Sequence, residues 1–368
     1  MSKPKPTSIG PISSERKSNF ELLRLVLMFM IIFHHSIVHG LGLSSIVGND
    51  TQETILSNSE TIIAILLNGM CICAVNCFIL ISGYFSIKTT LHKFSSILFS
   101  TLFYTVAFST TFDIFNGSIA QGLLRIFIFS HETYWFINAY LLLMIVAPLL
   151  NNLFENMSHR YLNYFLIFLI FVSIYLGFVW GSTYNYNGYN LFQFVTLYCI
   201  GRFIRVRNIK STRIFSISLY LFGSISTGII ASLLWSYGFS KWSWHMTFYN
   251  NPLLIIAALG LFLLFRSFNI RSRFINSCAS SCLAIYMIQS SLFASALYYA
   301  YIKLFVSNWG GVVWFCIPIF TVVIMAISIL FDQLTQKKIN NSASNIILQI
   351  LNRVSRRLNS VKFLKTNE

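Results

Sequence analysis

Ten apolar stretches, most of them near the length of a bilayer crossing, leave this chain very few ways to fold. They run over 20–39, 61–84, 94–115, 134–151, 160–180, 191–205, 214–236, 251–267, 277–304 and 312–333. About 20 mostly apolar residues cover the hydrocarbon core of a membrane. The expected fold is therefore all-α, a polytopic membrane helix bundle of about ten transmembrane helices. Of the ten, 191–205 is short, and 277–304 is long enough to tilt or kink. A further apolar stretch, 117–131, is too short to span and is expected to lie along the interface or re-enter. Composition agrees: 56% of residues are hydrophobic and 10% charged, against about 25% charged in soluble domains.

The cations set the orientation. With the N-terminus in the cytoplasm, twenty-two of the twenty-six Lys and Arg fall in inner segments and three (Arg125, Lys241, Lys303) in outer ones, with Arg24 inside the membrane. An inner excess of that size is the positive-inside pattern and places both termini in the cytoplasm. The net charge of +16 thus follows from topology and needs no nucleic-acid partner. The expected organisation is a cytoplasmic tail over 1–19, a membrane domain over 20–335, and a basic cytoplasmic tail over 336–368. That last tail is suited to an amphipathic helix on anionic lipid. The first apolar run is too long, and too interrupted by charge, for the core of a cleaved signal peptide.

That first run, FELLRLVLMFMIIFHHSIVHG, carries Glu21, Arg24, His34, His35 and His39. Ionisable groups in a membrane span cost roughly 2.5–3.5 kcal/mol each on insertion scales and mark wet cavities or protein interiors. Arg24 and His35 are eleven residues apart, about three helical turns with a ~20° offset, so His35 lies about 16 Å further along the same stripe. Glu21 and His39 fall within roughly 60° of that line, while His34 points elsewhere. A cation near one face with a titratable base deeper in suits an enzyme that takes an anionic donor from the cytosol. The seven cysteines fall within apolar runs; Cys71, Cys73 and Cys77 share no helical face, so packing explains them and no metal site is expected.

Four stretches together resemble the acyltransferase-3 family of membrane acyl-CoA-dependent O-acyltransferases. They are the Arg24-to-His35 pattern, CFILISGYFSIK with Ser82 to Phe85, YWFINAYLLLMIVAPLLNNLF with Trp135 and Pro148–Leu150, and the paired late segments NPLLIIAALGLFLLFRSF and INSCASSCLAIYMIQ. They occur in family order over most of the chain. The resemblance implies transfer of an acyl group, most often acetyl, from cytosolic acyl-CoA to a hydroxyl of a surface polysaccharide or its lipid-linked precursor. It gives Arg24 and His35 the family's functional positions. Two features depart from the family. Many relatives end the late segment with His where this chain has Gln289, which can hydrogen-bond but not shuttle a proton. An Arg pair that some relatives carry in the first inner loop is replaced by Lys88 and Lys93, weaker single-point phosphate contacts.

A sugar hydroxyl needs a base to attack a thioester, and imidazole suits that role. The catalytic candidates are therefore His35 and Arg24; for His35 the competing reading is a hydrogen-bonded core histidine. Arg24 is placed to meet the donor's phosphates or pantetheine, or to snorkel to lipid phosphate. Donor-binding candidates beside Arg24 are Ser82 and Gly83, where glycine allows close backbone approach or a helix cap, then Lys88, Lys93 and Arg202. The basic cluster containing Arg202 also reads as a stop-transfer signal. Acceptor-binding candidates are His39, Trp135, Asn138 and Gln289. The amide- and aromatic-rich loops Ser182–Asn190 and Lys241–Asn251 suit sugar contacts or an interfacial belt. No permanently bound cofactor is expected; acyl-CoA is the donor and a glycan the acceptor, in a multi-pass protein of the plasma membrane of a bacterium. Oligomeric state is left open, a homo-oligomer included. Two other classes compete. One is a glycan transporter, whose repeated halves are not seen here; the other is a glycan polymerase, which needs no acyl donor.

Overall fold

The structure, a computed structural model, describes residues 17–44, 56–127, 129, 134–182, 185–336, 349 and 353. The expected basic tail, like residues 1–16, thus lies almost entirely outside the described residues. Its helices, in chain order, are α1 (Ser18–His35), α2 (Asn58–Cys71), α3 (Ala74–Phe85), α4 (Leu91–Tyr104), α5 (Thr111–Phe115), α6 (Ile119–Leu124), α7 (Trp135–Asn156) and α8 (His159–Phe171). They continue as α9 (Leu191–Val206), α10 (Arg213–Ser236), α11 (Ser240–His245), α12 (Pro252–Arg266), α13 (Arg273–Ala279), α14 (Cys282–Gln289), α15 (Leu292–Trp309) and α16 (Val313–Phe331). Wider π turns extend α1 over Ser36–Gly40, α4 over Thr105–Thr110 and α8 over Val172–Val179. No strand occurs among the described residues. The protein is a helical bundle of the polytopic membrane class.

Local sequence explains the ends of these helices. Ser57 and Glu60 form a reciprocal capping box that starts α2. Thr90, Asn190, Thr212, Ser272 and Ser291 each accept a backbone N–H of the helix they precede. Asn251 does the same for α12, with Pro252 at the first helical position. At Ser291 the chain turns extended (φ −71°, ψ 150°). There the run 273–306 breaks into two arms at 78°, as the length of 277–304 allows.

Among the described residues, seven helices are long and apolar enough to cross a membrane, and eight if that bent pair is one span. The expected ten is thus too many by this measure. Both deficits have one cause. The stretches 191–205 and 251–267 do form helices, α9 of 16 residues and α12 of 15, only about 22–24 Å long. The missing length is supplied by the preceding loops, which sink into the bundle: Asn185, Asn250 and Asn251 are all fully buried. Irregular backbone at membrane depth survives only where protein satisfies its polar groups, and here amides do so. Asn76 Nδ2 and Gln193 Nε2 both donate to the Tyr249 carbonyl, at 2.9 and 3.0 Å. Asn250 donates to the Asn185 carbonyl, and the Tyr249 N–H to the Asn187 carbonyl. The stretch 117–131, in its described part, holds only the short α6, tied back to α5 by an ion pair between Arg125 and Asp113.

Helix α1 is the centre of the bundle, touching α2, α3, α12, α13, α14 and α16. Its apolar faces carry Leu23, Leu27, Ile32 and Ile37, all fully buried. Around it, α10 packs on α2 and α12, and α3 on α9. The α3–α9 contact is close because Gly83 and Gly201 face each other: a Cβ on Gly83 would sit 2.1 Å from the Tyr198 carbonyl oxygen, and one on Gly201 2.4 Å from that of Leu80. Small residues allow such backbone approach where helices pack in lipid.

Candidate active site

A polar column within apolar helices has to face a cavity, and α1 does. A cavity of about 850 Å³ runs along it, lined at one end by Glu21, Arg24 and Ser82, in the middle by His34, His35 and His39, and at the other by Trp135, Tyr189, Trp244 and Tyr249. The first end lies with the basic connections (Lys17, Lys88 and the loop 266–273); the second lies with the buried loops described above. The cavity therefore extends through most of the bundle's depth.

Arg24 Nη1 donates to Glu21 Oε1 at 2.5 Å, one turn back on the same helix. The carboxylate is buried and the guanidinium about one-third exposed, so the pair presents a positioned cation at the basic end. Deeper in, His35 Nδ1 lies 3.0 Å from Gln289 Oε1, contributed by the last residue of α14. A carbonyl oxygen only accepts, so this contact puts the proton on Nδ1 and leaves Nε2 with its lone pair. Gln289 Nε2 in turn donates to Ser290 Oγ, at the bend between α14 and α15. The bend thereby orients the imidazole.

His34 does not point away from the cavity as the stripe suggested. It lines the wall, hydrogen-bonded through Nδ1 to Asn68 Oδ1 of α2. The cavity wraps around more of α1 than one stripe, so a residue about 100° from His35 still reaches it. The rings of His34 and His35 are 5.2 Å apart, those of His35 and His39 5.8 Å, and those of His39 and Tyr299 5.9 Å. The π turn at Ser36–Gly40 carries His39 into this row; Ser36 Oγ, at its start, bonds the Ile32 carbonyl at 2.7 Å and Tyr298 Oη at 2.5 Å.

At the far end three rings form a box: Trp135 is 4.5 Å from Tyr189 and 5.5 Å from Tyr249, which are themselves 4.8 Å apart. Tyr189 and Tyr249 sit on the two buried loops, so the amide network that replaces two helix ends also fixes this box. Beyond it, His245 Nε2 donates to the Phe178 carbonyl at 2.8 Å. Burial holds this imidazole below its ordinary pKa.

The structure brings together Arg24, His35, His39, Ser82 and Trp135 on one cavity, with Gln289 behind His35. The other candidates lie elsewhere. Gly83 faces α9, and the sharp turn after α3 is made by Ser86 at φ +64°. Lys88 and Lys93 are exposed, with Lys93 Nζ on the Lys88 carbonyl. Arg202 is buried beneath the basic end, 3.9 Å from Glu155. Asn138 is absent from the cavity wall that Trp135 lines. Residues the sequence did not single out are Asn68, Tyr286 and Tyr299. Asn68 carried a signal, as one of two amides, with Asn76, in the apolar stretch 61–84; the two tyrosines resembled any others in the belt.

The fold and this cavity define a multi-pass helical membrane protein with a titratable site inside the bundle. A family model described as an acyltransferase domain matches residues 17–332, most of the chain, and the protein belongs to that acyltransferase-3 family. It is therefore a membrane acyltransferase. Neither a curated protein nor a solved structure matches the chain.

Proposed function

We propose that this acyltransferase moves an acyl group, acetyl in the first instance, from cytosolic acyl-CoA to a hydroxyl of a surface polysaccharide or its lipid-linked precursor in the plasma membrane of a bacterium. The observation that carries this is one cavity joining an arginine at the basic end to an oriented imidazole at mid-depth and an aromatic box beyond. The basic end is the cytosolic one by the positive-inside rule, so an anionic donor meets Arg24 first. Trp135, Tyr189 and Tyr249 all line that end of the cavity and offer aromatic surface to a sugar.

In this scheme the thioester arm reaches up the cavity past Arg24, and the acceptor hydroxyl descends from the box. His35 Nε2 takes the hydroxyl proton as the oxygen attacks the thioester carbonyl. The tetrahedral intermediate collapses, the C–S bond breaks, and the imidazolium returns the proton to the leaving thiolate, giving ester and free CoA thiol. Gln289 holds Nδ1–H throughout, so that Nε2 is the nitrogen that turns over. Hydroxyls of Tyr286, Ser290 and Tyr299 line the same wall and are the groups available to the oxyanion. Arg24, about 16 Å away along α1, binds donor and does not touch the reacting carbonyl.

The test is release of CoA thiol from acetyl-CoA by purified protein with glycan acceptor. His35→Ala, folded by size-exclusion behaviour, is expected to lose about 10²–10⁴ in rate, the usual contribution of a general base. Undiminished turnover in that variant removes His35 from the chemistry. Glycan movement without thiol release replaces the reading with a transporter.

A further inference from the structure

At the basic end a second pocket, of about 830 Å³, opens beside the first turn of α1. It is lined by Lys17, Ser18 and Asn19 on one side and by Arg266 through Arg273 with Asn276 on the other, with Tyr84 at its base. Among the described residues its lining includes four cations (Lys17, Arg266, Arg271, Arg273) and no carboxylate. None of the four makes an ion pair among the described residues.

Two features distinguish this pocket from loose loop cations. The wall is built: Ser18 Oγ accepts the Ser272 N–H at 3.0 Å, and Asn19 Nδ2 donates to the Phe265 carbonyl at 3.0 Å. Both side chains are buried, so the first turn of α1 and the connection after α12 are bolted together before anything binds. The charges also converge. The guanidinium of Arg266 lies 5.5 Å over the Tyr84 ring and that of Arg205 5.3 Å over the same ring. Arg266 also donates to the Ile209 carbonyl and Asn208 Oδ1, and Arg205 stands outside the lining. The field that an anion relieves is therefore that of Lys17, Arg271 and Arg273, none of which is ion-paired among the described residues. Guanidinium groups bind phosphate oxygens two at a time.

We infer that this pocket binds a phosphate-bearing ligand at the basic end, and that its occupant is the phosphorylated nucleotide head of the acyl donor. Lys17, the residue just before α1, and Arg24, in its second turn, are close along the chain, the first lining this pocket and the second the main cavity. A donor anchored by its phosphates in one pocket can therefore send its thioester arm into the other. The identity of the head depends on the donor reading above. The phosphate chemistry does not depend on it, and an anionic lipid headgroup is the other source of that chemistry.

The experiment uses the full chain in nanodiscs of zwitterionic lipid. Binding of adenosine 3′,5′-bisphosphate and of short-chain phosphatidylglycerol is measured for the parent, for Arg271→Glu/Arg273→Glu, and for Arg160→Glu/Lys210→Glu, which reverses two exposed cations outside the pocket. The expected result is bisphosphate binding by the parent that weakens with salt and falls at least about tenfold in the first variant, with the second variant unchanged. Lipid binding with the same variant pattern and no nucleotide binding keeps the phosphate site and removes the nucleotide donor. Nucleotide binding that both variants retain overturns the pocket while leaving the donor reading intact. No binding of either ligand by the parent also overturns it. Because Arg271 and Arg273 are exposed, folding is not at stake; Lys17→Glu provides a second, independent perturbation of the same wall.

Discussion

The two ends of the cavity are built from different physics. The basic end is electrostatic: one guanidinium held by a carboxylate a turn away, with a field of cations in the pocket beside it. The opposite end is architectural: Trp135, at the start of α7, stacks on Tyr249 and meets Tyr189 edge-on, and the two tyrosines sit on loops whose buried backbone is satisfied by Asn76, Gln193 and Asn250. A charged site recruits a soluble anion and responds to salt. A preformed aromatic box selects by shape and has already lost its conformational freedom. The difference suits two substrates arriving from opposite sides, with His35 between them.

After loss of the base itself, the largest expected effect tests the midpoint and should leave both ends untouched. Gln289→Ala removes the acceptor that keeps the proton on His35 Nδ1. With the tautomer and ring orientation released, the rate of acyl transfer is expected to fall by about 10–10², less than for loss of the base itself. Donor and acceptor KM should stay near parent values. Gln289→Glu retains an acceptor and should recover most of the rate; failure to do so would assign Gln289 to packing.

Trp135→Ala breaks the architectural end alone. Losing a ring that stacks on Tyr249 and meets Tyr189 edge-on is expected to raise acceptor KM by about tenfold or more, from roughly 1–3 kcal/mol of contact. Donor KM should not move. Arg24→Gln breaks the electrostatic end alone: donor KM rises about tenfold, the worth of a charge-assisted hydrogen bond of ~1.5 kcal/mol, and its salt dependence flattens. Arg24→Lys should fall between the two, because an ammonium keeps charge but not the paired geometry. If both substitutions shift the same substrate, the division between the ends is wrong.

The parts of this site that lie on one helix were legible in the sequence, because helical period alone relates Glu21, Arg24, His35 and His39. The bundle was legible for a similar reason, since apolar run length answers directly to membrane thickness. What was hidden depends on contacts between distant segments. His35 meets Gln289 across 254 residues, and no periodicity connects them; only the late segment's resemblance drew attention to that position. Two expected spans proved to be short helices under sunken loops, because hydropathy counts apolar residues and cannot see that Asn250 satisfies the Asn185 carbonyl and Asn251 that of Met246. Convergence of charge was hidden in the same way: Lys17 and the run Arg266 to Arg273 lie about 250 residues apart in sequence and line one pocket.

The smallest effect concerns the rim of the architectural end. His245 donates through Nε2 to the Phe178 carbonyl, among the rings of Phe178, Trp242 and Phe248. Burial keeps its pKa below the ordinary histidine value. The neutral form is then the one the fold favours, and the unfolded or opened loop binds a proton more readily. Stability of this rim is full above the ordinary pKa of about 6.5 and declines as pH falls from there toward the depressed value. Hydrogen exchange of the loop amides around Tyr249 should therefore accelerate modestly between pH 7 and pH 5.5, beyond the intrinsic pH trend. His245→Gln keeps a donor without a titrating group and should abolish that excess. An unchanged pH dependence in the variant would place the acid-sensitive group elsewhere, and the basic end, whose pocket is lined by Lys and Arg without histidine, should show no such excess in the same experiment.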